Sequence, residues 1–576
     1  MKHRTVFALA ILCMLTVAGF AAPAMAQETA TEPVAIIVSQ SLDAWAADAS
    51  LTAEVLEKPE LAFMVGFAST FFVEGGPLGG IDTTRPFGAA ICLKDGEPVG
   101  YAAIPVNDID QLELGMSLFL DTIEGAEGYA NVYHIVGKDN GNEAFVLEME
   151  DWLLISDRPD AFPAEMPTID EGLAQLAENA MIGIKLYPQR VPAELREEFY
   201  EELTEEIIEH HVDKVEGKLE ALQQCPYADQ LTAFHDNVAE QLSIIGRTVY
   251  DDLESVTAGV VLDEEAGSLK LCVKMTAVND SELADFLADD AAVATQFSAF
   301  RSPIATAFAT TTGINPLGDM VDWSIIGEVY QDAIYAGIDE HLEDASKNAD
   351  AKAFMDQVLN QLGDTIESGR RDGAVAVGLH PEGIVLVTGG YADDGYVWEE
   401  LAGQFINAME EEGHECPLDS TLETDVASVE GVNIHKLSFE IPADCDNRDK
   451  VVELVGETAV IAVGFGPEAV YVAAGRMPVE ILTHVIQESA DAENSPIRCQ
   501  ASLSLLSLAK FVAVHGDSEK ERTDSAAAAE LLEQYEDSDD ISVTIEAIPN
   551  GRRLVVELEE GVIRILAAIA DEKMNE

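Results

Sequence analysis

The chain has 576 residues, of which 107 are Asp or Glu and 32 are Lys or Arg, giving a formal net charge of −75. So strong a negative field excludes nucleic acid and anionic bilayers as partners and leaves cations or a protein partner. Hydrophobic residues make up 48% of the chain, which is ordinary for a folded protein and excludes wholesale disorder.

Lys2, His3 and Arg4 form a positive start, residues 6–20 are apolar and uncharged, and Ala24-Met25-Ala26 offers a cleavage site between small residues. This is the pattern of a secretory signal peptide at 1–26, with an apolar run shorter than the roughly 20 residues of a membrane anchor. No later segment is apolar enough to span a bilayer, so there is no transmembrane segment after cleavage. The mature chain is expected to be exported, periplasmic or extracellular, and its 550 residues call for two or more domains. Its acids are spread over the whole length, as on a solvated surface adapted to saline surroundings. Calcium capture would concentrate them in a D-x-[DN]-x-[DN]-G loop. Glu536-Asp537-Ser538-Asp539-Asp540 comes nearest and lacks both the glycine and the closing glutamate.

Residues 27–59 read as a polar leader and a peripheral helix over 34–47. Residues 60–73, ELAFMVGFASTFFV, read as a buried strand before a glycine-rich turn. A hairpin follows at 87–93 and 99–106 around Lys94-Asp95-Gly96, and Asn107-Asp108 caps a helix. Three strands, 132–136, 144–149 and 152–156, lead to Asp157-Arg158-Pro159, which launches a short helix. After a strand at 181–186, residues 193–251 carry helical spacing. Ile208, Val212, Val215, Leu219 and Leu222 line one helix. Leu231, Phe234, Val238, Leu242, Ile245 and Val249 line a second, beyond Cys225-Pro226-Tyr227. Residues 255–287 alternate apolar and polar on both sides of Asp263-Glu264-Glu265-Ala266-Gly267, then switch to helical spacing: a hairpin feeding a helix.

The second half repeats this order. A strand at 304–312 precedes helices at 321–342 and 354–366, the latter with Phe354, Val358, Leu362 and Ile366 on one face. A hairpin at 374–379 and 384–389 feeds a helix at 398–409. Strands follow at 432–441, 459–465 and 469–474, and Gly475-Arg476-Met477-Pro478 launches a helix. The chain ends with a strand at 501–508, a helix at 526–535, a hairpin at 541–548 and 554–558, and a helix from Val562. The expected fold is therefore α+β, with antiparallel sheets built from repeated β-hairpin–helix units and helical-pair inserts. Four such units, with a three-strand module after the first and third, make a tandem duplication with its seam near 290–302. The expected halves are 60–290 and 303–576.

Residue chemistry gives little. After cleavage six cysteines remain: Cys92, Cys225, Cys272, Cys416, Cys445 and Cys499. Cys416 and Cys445 flank an irregular Asp-rich stretch, and a loop-closing disulfide between them is expected. Cys92 and Cys272 fall inside strand patterns as small buried residues. No C-x-x-C spacing supports a redox or zinc motif. Glu206, Glu209, His210, His211 and Asp213 are the densest metal-capable group, but adjacent histidines on a helix point about 100° apart, so this is a solvated face. His414, Glu415 and Cys416 are neighbours in sequence only. Trp152, Trp323 and Trp398 are too dispersed for a sugar platform. There is no G-x-S-x-G elbow, P-loop or G-x-G-x-x-G, so no catalytic, cofactor-binding or metal residue is assigned.

The segments R-P-F-G-A-A-I at 85–91, G-E-P-V-G-Y-A-A-I-P-V-N-D-I-D-Q-L at 96–112 and W-L-L-I-S-D-R-P-D-A-F at 152–162 resemble a group of uncharacterised exported proteins of planctomycete-type bacteria. The resemblance covers mainly the first 165 residues and implies no known activity. The expectation is an exported, acidic, non-enzymatic binding or scaffold protein. The alternative is a periplasmic carrier of lipid or another hydrophobic ligand.

Overall fold

The computed structural model describes residues 32–163, 180–200, 243–314 and 331–575, apart from most of 56–77, from 289–294, 302–304, 340–344, 412–419 and 490–496, and from a few shorter breaks. The expected signal peptide, most of the strand at 60–73 and most of the helices at 193–251 and 321–342 lie outside the described residues, and the short helix expected after Pro159 does not start among them, since residues 157–160 bend and turn and 161–163 are irregular. Among the described residues the chain forms twenty strands, ten α-helices and three single 3-10 turns. Neighbouring strands pair antiparallel, and the fold is α+β. No helix among them is long and apolar enough to cross a membrane. The chain divides into two units: Met1–Tyr200 with Asp252–Val278 and Val555–Glu576, and Glu201–Asp251 with Asn279–Leu554.

The first unit opens with strand β1 (Ala35–Ser39) and helix α1 (Leu42–Val55). The hairpin β2 (Phe87–Lys94) and β3 (Glu97–Pro105) leads to helix α2 (Ile109–Met116). Four strands follow: β4 (Leu120–Gly125), β5 (Val132–Gly137), β6 (Glu143–Met149) and β7 (Trp152–Ser156). Then come β8 (Ile182–Leu186) and the hairpin β9 (Leu253–Asp263) and β10 (Ser268–Ala277). Their hydrogen-bonded order is β4-β5-β6-β7-β3-β2-β1-β8-β9-β10.

Alternation of side chains on β7 divides the core of this unit. Trp152 and Leu154 pack with Ile36, Val38, Val99 and Tyr101 on one face. Leu153 packs on the other face with Val106, Val146 and Leu112 of α2. Asp108 caps α2 by accepting a hydrogen bond from Gln111 N at 3.0 Å, which fixes the helix start and sets Leu112 over the sheet. At the tip of β9–β10, Asp263 Oδ1 accepts from the backbone N–H groups of Glu265 and Ala266, and Lys270 Nζ bonds its Oδ2 at 2.7 Å. The acidic turn is a self-capped loop that closes on Gly267 at φ +64°, a left-handed conformation glycine adopts without strain.

The second unit begins with helix α3 (Glu282–Ala288) and strand β11 (Ala307–Ile314). Helix α4 (Ala345–Glu367), the hairpin β12 (Arg370–His380) and β13 (Gly383–Tyr391), and helix α5 (Gly395–Glu411) follow. Next come β14 (Ser420–Val429), β15 (Val432–Glu440), helix α6 (Arg448–Val455), β16 (Thr458–Phe465), β17 (Ala469–Gly475) and helix α7 (Pro478–Ser489). The unit closes with β18 (Ile497–Ser504), helices α8 (Leu505–His515) and α9 (Glu519–Leu532), β19 (Asp540–Ile548) and β20 (Gly551–Leu558), of which 551–554 belong here. The order is β14-β15-β16-β17-β13-β12-β11-β18-β19-β20. Helix α10 (Glu560–Asn575) follows β20.

This sheet is covered on both faces. Tyr471 and Ala473 of β17 join Phe297, Phe300 and Leu482, Val485 and Ile486 of α7 in the core, with Phe297 and Tyr471 rings 5.2 Å apart. The alternate residues Val470 and Val472 point away, toward Leu362 of α4 and Trp398 of α5.

Four sequence expectations need correction. Residues 35–39 are a strand and not the start of a peripheral helix: Ala-Ile-Ile-Val-Ser is β-branched and pairs on both edges, with β2 and β8. Each meander has four strands and not three, because β4 and β14 are exposed edge strands without a clean apolar alternation. The strand expected at 501–508 ends at Ser504, whose hydroxyl accepts from Ser507 N and starts α8. The helix expected at 526–535 starts earlier, at Glu519, behind the reciprocal Ser518–Glu521 capping box.

Candidate functional site

Two features of the second unit carry chemistry. The first is an apolar groove of about 390 Å³. Its floor is the backbone of β13 from Thr388 to Tyr391 with Val470 and Val472 of β17, and its walls are Leu362 and Thr365 of α4 and Trp398 of α5. Gly389 and Gly390 have opposite reasons to lack a side chain. A Cβ at Gly389 would meet the Phe297 ring at 2.5 Å, on the core side, whereas one at Gly390 would meet nothing within 4 Å. The floor is hollow at Gly390. Leu362 on the wall is 44% exposed, so the groove is open to solvent.

Beside the groove, Arg370 lies over the Tyr391 ring at 4.5 Å and pairs with Glu468 at 2.8 Å. Its guanidinium is 3.6 Å from Asp372, whose side chain is fully buried. Asp372 Oδ2 accepts from Gln296 N at 3.0 Å, while Oδ1 makes no hydrogen bond. Burial pushes the Asp372 carboxyl above its ordinary range, against the opposing pull of Thr295, Gln296 and Arg370.

The second feature is a group of three ligating side chains. Glu399 of α5, Asp425 of β14 and His435 of β15 each offer one atom, and these atoms lie within 4.8 Å of one another. His435 Nε2 is 3.0 Å from Glu399 Oε1, and Asn433 Nδ2 donates to Glu399 Oε2 at 3.1 Å. Asp425 N–H donates to His435 Nδ1 at 3.3 Å. With Nδ1 accepting, the neutral ring carries its proton on Nε2 and donates to Glu399.

The bulge in β14 makes this grouping. Glu423 pairs with Lys436 and Ala427 with Ile434, so residues 424–426 together oppose His435 alone. Asp425 adopts φ +53°, uncommon for a residue with a side chain. Strand alternation then puts Asn433 and His435 on the α5 side while Ile434, fully buried, faces the α7 core.

The other sequence candidates fall elsewhere. Glu206, Glu209, His210, His211, Asp213, His414, Glu415, Cys416, Cys225 and Trp323 lie outside the described residues, and with Cys416 goes the expected bridge to half-buried Cys445. Trp152 is core, with Arg85 over its ring at 4.5 Å, and Trp398 lines the groove. Cys92 is buried as expected, and that burial pushes its thiol up to about 11, so it stays protonated and inert. Cys272 is only half-buried. The imidazoles of His134, His435 and His515 bond carboxylates or backbone atoms, not a serine or cysteine nucleophile.

Reasoning from sequence missed Glu399, Asp425 and His435 altogether. Comparison with protein-family models, curated proteins and solved structures finds no match to this chain.

Proposed function

We propose that this is an exported, non-enzymatic binding protein formed by tandem duplication, and that the groove of its second unit takes an apolar group from a basic protein partner. The observation that carries the duplication is strand order. Replacing β1 by β11, β2 by β12 and so on to β10 by β20 converts the order of the first unit into that of the second. The hairpins β2–β3, β9–β10, β12–β13 and β19–β20 are each followed by a helix, in keeping with a repeated hairpin–helix unit. Such a platform presents an open groove on a helix-covered sheet rather than a closed reaction chamber.

The shape of the groove favours surface binding over carriage of a lipid. It is open to solvent past Leu362, and a second cavity, under Ile481 and Val485, holds about 10 Å³, the least a single water needs. The net charge of −75 would draw in a basic partner and hasten encounter at low salt.

The test is native mass spectrometry of the protein recovered from its own exported fraction, with Gly390→Leu filling the groove. A protein partner at fixed stoichiometry, lost in Gly390→Leu and weakened by salt, supports the proposal. A bound acyl lipid displaced by Gly390→Leu would replace it with the carrier reading. A partner that binds the filled variant equally well would overturn the role of the groove.

A further inference from the structure

We propose that Glu399, Asp425 and His435 form a site for a divalent transition-metal ion of the zinc class, which ties the β14–β15 hairpin to α5. The three ligands come from three elements, α5, β14 and β15, which hydrogen bonds from Asn433 to Glu399 and from the Tyr396 hydroxyl to Gly431 O already hold together, and their donor atoms lie within 4.8 Å. A tetrahedral ion with bonds near 2.1 Å needs ligand atoms about 3.4 Å apart. Glu399 and His435, at 3.0 Å, need to open by only a few tenths of an ångström, and an inward shift of Asp425 then completes the set. Asp425 is exposed and sits in the bulge, where such a shift meets little packing.

The surroundings hold the other two ligands in place. Asn433 Nδ2 donates mainly to the far oxygen of Glu399, at 3.1 Å against 3.5 Å for Oε1, and so orients the carboxylate with Oε1 toward the imidazole. The Phe465 ring lies 5.6 Å from that of His435. These are the outer contacts that orient a ligating carboxylate and histidine. When an ion enters, His435 Nε2 gives it the lone pair now tied up by the ring proton. That proton passes through solvent to Nδ1, so a neutral ring releases none. The 3.3 Å contact from Asp425 N–H to Nδ1, longer than a good hydrogen bond, opens in exchange.

One imidazole with two carboxylates selects the metal. Calcium takes six to eight oxygen ligands and magnesium prefers oxygen and water, whereas zinc and its neighbours accept imidazole with carboxylate and leave the fourth position to water.

The experiment is calorimetric titration of the metal-stripped full chain with Zn²⁺, in high salt and excess Mg²⁺ to mask scattered carboxylates. One tight equivalent is expected. It should weaken by at least about tenfold in Glu399→Gln and in His435→Gln, and persist in Glu423→Gln, which alters a neighbouring acid paired to Lys436. Hydrogen exchange over 420–440 should slow with Zn²⁺ in the unaltered chain and not in Glu399→Gln. Should a variant misfold, Co²⁺ bound to the unaltered chain provides an independent reading through the absorption bands of a tetrahedral nitrogen–oxygen site. Absence of a tight equivalent under these conditions, or its survival in both ligand variants, overturns the site.

Discussion

The helix after the first hairpin is fastened to the sheet in one way in the first unit and in another in the second. Strands β5 and β15 occupy the same place in the two strand orders, and each opens on a buried valine, Val132 and Val432. Three residues further on, the first unit has Ile135, packed with Leu112 of α2 and with Val146 and Leu153. The second has His435, bonded to Glu399 of α5. The apolar fastening gains from removing surface from water and ignores ions. The polar one must first strip water from an imidazole and a carboxylate, and such pairs roughly break even against apolar replacements. A polar contact at a position where the same architecture manages with isoleucine and leucine is where a requirement other than stability shows.

The largest effect should come from breaking the apolar fastening. Leu112, 2% exposed, should cost about 2–5 kcal/mol when changed to alanine, from lost transfer energy and the cavity left behind. Urea unfolding should give this loss unchanged by Zn²⁺ or chelator. A loss under about 1 kcal/mol would mean that α2 collapses onto the sheet without Leu112, and the contrast between the units would fail.

A swap sharpens the comparison at smaller cost. Changing His435→Ile together with Glu399→Leu gives the second unit the chemistry of the first. In chelator the double variant should stay within about 1.5 kcal/mol of the parent, as apolar replacements of an ion pair do. Its response to Zn²⁺ should vanish. Glu399→Leu alone should be worse than the double variant, because it leaves a mostly buried imidazole nitrogen without its acceptor. A double variant far less stable than either single change would show instead that the pair itself holds the hairpin in place.

Much of the fold was legible because alternation and turn chemistry are local. The 255–287 hairpin and its helix emerge as β9, β10 and α3, with Asp263 supplying the turn. The misses have physical causes. In β14 the first six residues are all exposed, so edge position removes the apolar signal. In α8, LLSLAKFVAVH is so uniformly apolar that its period is hidden, and only the Ser504 cap marks a helix. The ligating group was illegible for another reason. A bulge is one extra turn of backbone with no composition of its own, and carboxylates are too common in this chain to flag Glu399 or Asp425. Only His435 is a scarce residue, and a single histidine in a strand says nothing about what faces it.

The smallest effects separate two aspartates whose surroundings act in opposite directions. At Asp372, in the second unit, burial dominates and raises the carboxyl pKa in the folded state. At Asp160, in the first, burial again works toward the neutral form, but hydrogen bonds and charge from Arg158 and Lys94 outweigh it and lower the pKa. A raised folded pKa means that the folded chain binds the proton more tightly than the unfolded one. The contribution of Asp372 is therefore most favourable in acid and is lost as pH climbs from the ordinary carboxylate value, about 3.9, through the raised one. Asp160 behaves inversely: its contribution is complete above about 3.9 and disappears as pH falls through the lowered value. In urea unfolding at fixed high salt, Asp372→Asn should be more stable than the parent at pH 7 and less so at pH 4, since Asn keeps an acceptor for Gln296 N–H. Asp160→Asn should lose stability at pH 7 and converge on the parent in acid. Because the Asp160 side chain is about a quarter exposed, its loss should stay near 1 kcal/mol or below. If Asp372→Asn lost stability at neutral pH, Arg370 at 3.6 Å would be holding an ionised carboxylate there after all, and the two aspartates would share one sign.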